Sequence, residues 1–151
     1  MTTTSTTTTT ATTTTTTTSD TIRIERLYRH SPARIWRALT DPELHAQWWA
    51  KGDVRPVVGH RFTLDMGKWG QQECEVLEVV HERRFRFIFA RGVLDTTITW
   101  ELTPETLEDG EGCRLVLVHA GFKADTPMGR QALEGMANGW PALLERLQNI
   151  A

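Results

Sequence analysis

Apolar residues change their period along this chain, and each change marks an element. Ile22 and Ile24 alternate with Arg23 and Glu25, the two-residue repeat of a strand with one wet face, over Thr21 to Arg29. Ser31-Pro32 ends it. Serine is a favoured N-cap and proline is tolerated in a first helical turn, so a helix is predicted to follow with Ile35, Trp36 and Leu39 on one face. Asp41-Pro42 repeats the signal for a second short helix, which holds Leu44 and ends near Trp48-Trp49, before the breaker Gly52.

Strands come next. Phe62, Leu64 and Met66 alternate with polar neighbours, as do Phe85, Phe87 and Phe89, and then Leu94, Thr96, Ile98, Trp100 and Leu102. Cys74 to Val80 and Arg114 to Ala120 also read as strands, apolar at nearly successive positions. Gly67 to Gly70 and Glu108 to Gly112 are the turns between them. From about Thr126 the step lengthens to three and four, through Leu133, Met136, Ala137, Trp140, Leu143, Leu144, Leu147 and Ile150, which predicts one long amphipathic helix. Pro141 lacks a backbone donor, so a kink is expected near Ala137 to Trp140.

The order implies an α+β fold: a curved antiparallel sheet of about six strands around a long C-terminal helix, with two short helices after the first strand. Space between helix and sheet that the helix does not fill becomes a cavity. Trp36, Trp49, Phe62, Leu64, Met66, Trp69, Phe87, Trp100, Met136 and Trp140 are the candidates for its wall, although plain core packing explains the same residues. The Trp48-Trp49 pair is not expected to point inward as a whole, which makes one ring a candidate rim or partner contact.

Composition limits the partners. The chain of 151 residues has a formal net charge of −2, enough length for one domain and no single-signed field for nucleic acid or a membrane surface. Thr fills 15 of the first twenty positions, so residues 1–20 are expected to be a disordered tail and residues 21–151 the domain. Without a signal-peptide pattern or a membrane-length apolar run, a cytoplasmic protein is the expectation. Cys74 and Cys113 lack metal-ligand spacing, and His30, His45, His60 and His81 are scattered, so neither metal nor cofactor is expected. No phosphate-cradling, nucleophile-elbow or zinc-protease motif occurs. Arg83, Arg84, Arg86 and Arg91 read as a solvated strand edge.

One pair could carry chemistry. His119 shares parity with Leu115 and Leu117, and Glu78 with Cys74, Val76 and Val80, so both could face the cavity as a general acid/base pair. A bulge between Val76 and Leu77 would instead turn Glu78 outward.

The segment from His30 to Leu44, HSPARIWRALTDPEL, followed by Gln47-Trp48-Trp49, resembles the opening of the SRPBCC, or START-like, superfamily. Leu115 to Phe122, Gly139-Trp140 and Leu144 to Leu147 are similar to the last strand and final helix of one branch, named after the C-terminal domain of the activator of heat shock protein 90 ATPase. The resemblance covers about Ile22 to Ile150 and implies the helix-grip fold. That frame hosts carriers, cyclases and co-chaperones, so it leaves the function open. The expected function is non-catalytic binding of a small apolar or amphipathic ligand, with His119 or a tryptophan N–H orienting one polar group. The alternatives are a protein-interaction module that contacts a chaperone or regulator through Trp48-Trp49, and a cyclase- or hydrolase-type enzyme using Glu78 and His119.

Overall fold

The computed structural model describes residues 13–151. Its strands are β1 (Thr13–Thr17), β2 (Thr21–Tyr28), β3 (Arg61–Asp65), β4 (Gln71–Val80), β5 (Arg84–Phe89), β6 (Thr96–Leu107) and β7 (Gly110–Ala120). They form one antiparallel sheet in the order β1-β2-β7-β6-β5-β4-β3. Helices α1 (Pro32–Thr40) and α2 (Pro42–Trp48) follow β2, and α3 (Pro127–Ile150) closes the chain. This is the helix-grip arrangement.

Local chemistry sets the helix starts. The Ser31 hydroxyl accepts from the Arg34 N–H at 3.3 Å, an Asp41 carboxylate oxygen accepts from Glu43 at 2.9 Å and from Leu44 at 3.4 Å, and the Thr126 hydroxyl accepts from Gly129 at 3.0 Å. Each side chain caps an N–H of the first turn, where the helix supplies too few carbonyls; the Arg34 N–H is shared with the Ser31 carbonyl at 3.1 Å. Pro141 lies inside α3 and does not end it.

The alternation in the strands sorts the two faces of the sheet. Ile22, Ile24, Phe85, Phe87, Ile98, Trp100, Leu115 and Leu117 are buried against Ile35, Trp36, Leu39, Leu133, Trp140, Leu144 and Leu147 of the helices. Tyr28 Oη, buried, donates to the Leu144 carbonyl at 2.9 Å, and Arg26 pairs with Glu145 at 2.8 Å, so α3 is tied to β2 at its far end.

Two expectations need correction. The threonine-rich tail was expected to be disordered to residue 20, yet Thr13–Thr17 pairs with β2 from Thr13↔Arg26 to Thr17↔Ile22, which makes seven strands rather than about six. Disorder was inferred from missing apolar area. A strand at a sheet edge is held by its backbone ladder, and β-branched threonine suits it without burial. Residues 1–12 of the expected tail lie outside the described residues. The strand expected to begin at Leu94 begins at Thr96, because Ala90 and Asp95 take positive φ (60° and 53°) and the N–H groups of Val93, Leu94 and Asp95 all converge on the Ala90 carbonyl.

Candidate functional site

Most of the space between helix and sheet is filled with aromatic rings. Trp100 packs edge-on against Trp140 at 5.5 Å between centroids and against Trp48 at 5.8 Å; Trp36 packs against Phe85 at 6.0 Å, and Phe62 against Phe87 at 5.6 Å. Trp36, Phe62, Leu64, Phe87, Trp100, His119 and Trp140, seven of the eleven residues proposed for a ligand cavity, are buried in this packing. Trp49 is half-buried between Trp140 at 4.9 Å and Phe89 at 5.7 Å.

Both rings of the Trp48-Trp49 pair face inward, contrary to expectation. Trp48 ends α2 with its Nε1–H donating to the Ala38 carbonyl at 2.7 Å, and Trp49 leaves helical geometry (φ −133°, ψ −80°), which brings its ring within 5.8 Å of Trp48. A fully buried Trp48 offers no outer contact surface.

The open space lies at one mouth of the grip. A pocket of about 310 Å³ is bounded by Met66 and Trp69 at the 3-10 turn after β3, by Gln72 on β4, by Phe89 and Ala90 at the end of β5, and by Val93 and Leu94 of the turn into β6. Its last wall is α3, where Met128, Gln131, Ala132, Gly135 and Met136 recur at the three- and four-residue steps of one helical face. Met66, Trp69 and Met136 were anticipated as wall residues. Gln72, Phe89, Val93, Leu94 and Met128 were not; for Met128 the helical spacing to Ala132 and Met136 was the available signal, whereas Val93 and Leu94 arrive through the turn geometry. A second hollow of about 420 Å³ adjoins it at the start of α3, sharing Val93, Leu94 and Met128 and including Lys123 and Thr126.

Glu78 and His119 are not brought together. The register of β4 shifts between Val76 and Glu78, and this bulge turns Glu78 to the outer face, where Arg84 lies at 3.0 Å and Arg86 at 3.5 Å. The hydrogen bond from Arg84 leads the effects that lower its pKa. His119 points the other way, into the core. Trp140 Nε1–H donates to its Nδ1 at 3.1 Å, and its Nε2 lies 2.9 Å from the Thr96 hydroxyl, which itself donates to the Phe89 carbonyl at 3.2 Å. An indole N–H only donates, so the proton of His119 sits on Nε2 and the ring is neutral. Burial lowers its pKa to about 3. Its hydrogen bonds are all internal, which makes it a clamp between α3 and the sheet. His45 is similar, its Nδ1 2.7 Å from the Ala50 carbonyl and its pKa lowered to about 4 by burial.

Cys74 and Cys113 are free and buried, and burial pushes their thiols up to about 12 and about 11. No helix of the described residues is long and apolar enough to cross a membrane.

Comparison with known proteins agrees with this architecture. The chain is similar to protein MLL2253 from Mesorhizobium loti at 34% identity over 86% of this chain and 95% of that one, with a TM-score of 0.72. It is similar to CalU16 from Micromonospora echinospora at 26% identity, covering 86% and 74% of the two chains, with a TM-score of 0.67. Bacillus halodurans protein BH1534, at 24% identity over 85% and 94% with a TM-score of 0.68, shares the fold. Among curated proteins none matches. Residues 29–151 match the family described as activator of Hsp90 ATPase homolog 1-like protein, and the chain belongs to that family.

Proposed function

We propose that this protein binds a small, largely apolar molecule in the pocket at the mouth between the turn Gly67–Trp69, the β5–β6 connection and α3, and leaves it chemically unchanged. The observation that carries this is the make-up of the wall: it is open, mainly apolar, and none of its bordering residues is an acid, base or nucleophile. The helix-grip frame supports it by leaving space where the long helix meets the sheet. Glu78 and His119 could supply acid/base chemistry only if they faced one space, and they stand on opposite faces.

The test is a titration with the neutral fluorescent probe N-phenyl-1-naphthylamine. Gly135 borders the pocket and a Cβ there meets no atom within 4 Å, so Gly135→Leu is the substitution chosen to add bulk to the pocket wall. Probe emission is expected to rise and shift to the blue with the wild type and to be lost in Gly135→Leu. Equal emission from both proteins would overturn the assignment.

The rim favours one second reading. Trp69, Val93 and Met128 are 63%, 52% and 57% exposed, an apolar border on which a chaperone or regulator protein would seat. Under it, Trp69→Ala loses partner capture while Gly135→Leu retains it.

A further inference from the structure

The pocket has a chemical bias that narrows its ligand; this inference rests on the binding function proposed above. Gln72 Nε2 donates to the Trp69 carbonyl at 2.7 Å, which fixes the orientation of the amide. Its Oε1 is then closed off from solvent with no hydrogen-bond partner. Among the described residues it is the one buried side-chain nitrogen or oxygen in that condition. An acceptor that has given up water and gained nothing is unfavourable, and a donor that reaches it is rewarded accordingly. Gln72 stands in the pocket wall beside Trp69 and Met66. Because Oε1 is closed off, a ligand reaches it only if a neighbouring wall residue moves; Trp69, mostly exposed on a three-residue turn, and Met66, with three rotatable bonds, are the neighbours suited to that.

The rest of the wall sets charge and shape. None of its residues is ionisable, and its polar side-chain groups are the neutral amides of Gln72 and Gln131 and the indole N–H of Trp69. A charged ligand would leave water without gaining a counter-ion. Among the described residues Lys123 is the one cation bordering the adjoining hollow, and it lies 3.9 Å from Asp95. All three methionines after Met1, namely Met66, Met128 and Met136, border the pocket, a soft and polarisable lining that accommodates a flat ring face.

We propose that the pocket selects a neutral, mainly apolar molecule carrying one hydroxyl or N–H donor, which Gln72 Oε1 accepts, and rejects carboxylates of the same size. The probes are 2-naphthol, 2-methoxynaphthalene and 2-naphthoate, matched in ring system and different in donor and charge. Binding to the full chain is read from the ¹³C-labelled methyl signals of Met66, Met128 and Met136. In the wild type, 2-naphthol binds about tenfold tighter than its methyl ether, and 2-naphthoate leaves the signals in place. In Gln72→Met the preference for 2-naphthol falls to about twofold or less. The wild-type series decides the matter if that variant does not fold. Equal binding of alcohol and ether, or binding of 2-naphthoate, overturns the proposed selectivity and leaves the pocket standing. If none of the three shifts any methionine methyl, the pocket assignment itself falls, and the selectivity with it.

Discussion

Acid should loosen this protein well before its carboxylates titrate, because two histidines are buried neutral. His119 and His45 have pKa values of about 3 and about 4 in the fold, both lowered by burial from the ordinary 6.5. Below pH 6.5 the unfolded chain binds these two protons and the folded chain does not, so stability falls as pH falls. At pH 5 each unfolded imidazole gains about 2 kcal/mol by protonation, so the pair removes about 4 kcal/mol relative to neutral pH, a large part of an ordinary domain's stability. Glu25 and Glu78, lowered chiefly by their hydrogen bonds to Arg23 and Arg84, give up their contribution only as pH drops through about 4.5 and below. The raised thiols of Cys74 and Cys113 weaken the fold only above about pH 9. Urea unfolding followed by tryptophan fluorescence between pH 7.5 and 5 measures this, with a limiting slope of about 2.7 kcal/mol per pH unit for two protons. His119→Asn keeps an acceptor near the Trp140 N–H and should halve the slope, whatever it costs at pH 7.5. A flat wild-type profile, or the same slope in His119→Asn, would refute the burial argument.

Three further outcomes are expected. Gly135→Ala should stabilise by about 0.5–1 kcal/mol in thermal unfolding, since a Cβ there meets no atom within 4 Å and alanine loses less entropy in a helix. Removing residues 1–17 should lower stability by roughly 1–2 kcal/mol, because β2 loses its partner strand; an unchanged melting temperature would show that the β1 ladder contributes nothing. Glu78→Gln should leave the melting temperature nearly unchanged, as its ion pairs are partly solvated, and should leave binding of N-phenyl-1-naphthylamine unaltered. Lost probe binding in that variant would mean that Glu78 reaches the pocket after all.

Element type and order were legible in the one-dimensional pattern. Ser31-Pro32 and Asp41-Pro42 begin helices because capping is a contact between residues two or three apart, and the alternation in β5 and β6 sorts buried from exposed faces for any sheet they join. The resemblance in His30 to Trp49 pointed to the same fold. Three things were decided only in space. The threonines of β1 carry no apolar signal, and their strand exists because β2 presents a free edge to them. Glu78 is assigned to its face by one bulge, a shift of a single residue that reverses every inference from parity. The pocket depends on where rings stop filling the grip: Trp100, Trp140 and His119 close the centre, and the space that remains falls between Trp69, the turn at Val93-Leu94 and the Met128–Met136 face of α3. Those residues are brought together from separate parts of the chain, so no local pattern records their meeting. Periodicity tells which side of an element is apolar; whether that side meets another ring or empty space is settled by volume, which is a property of the packed whole.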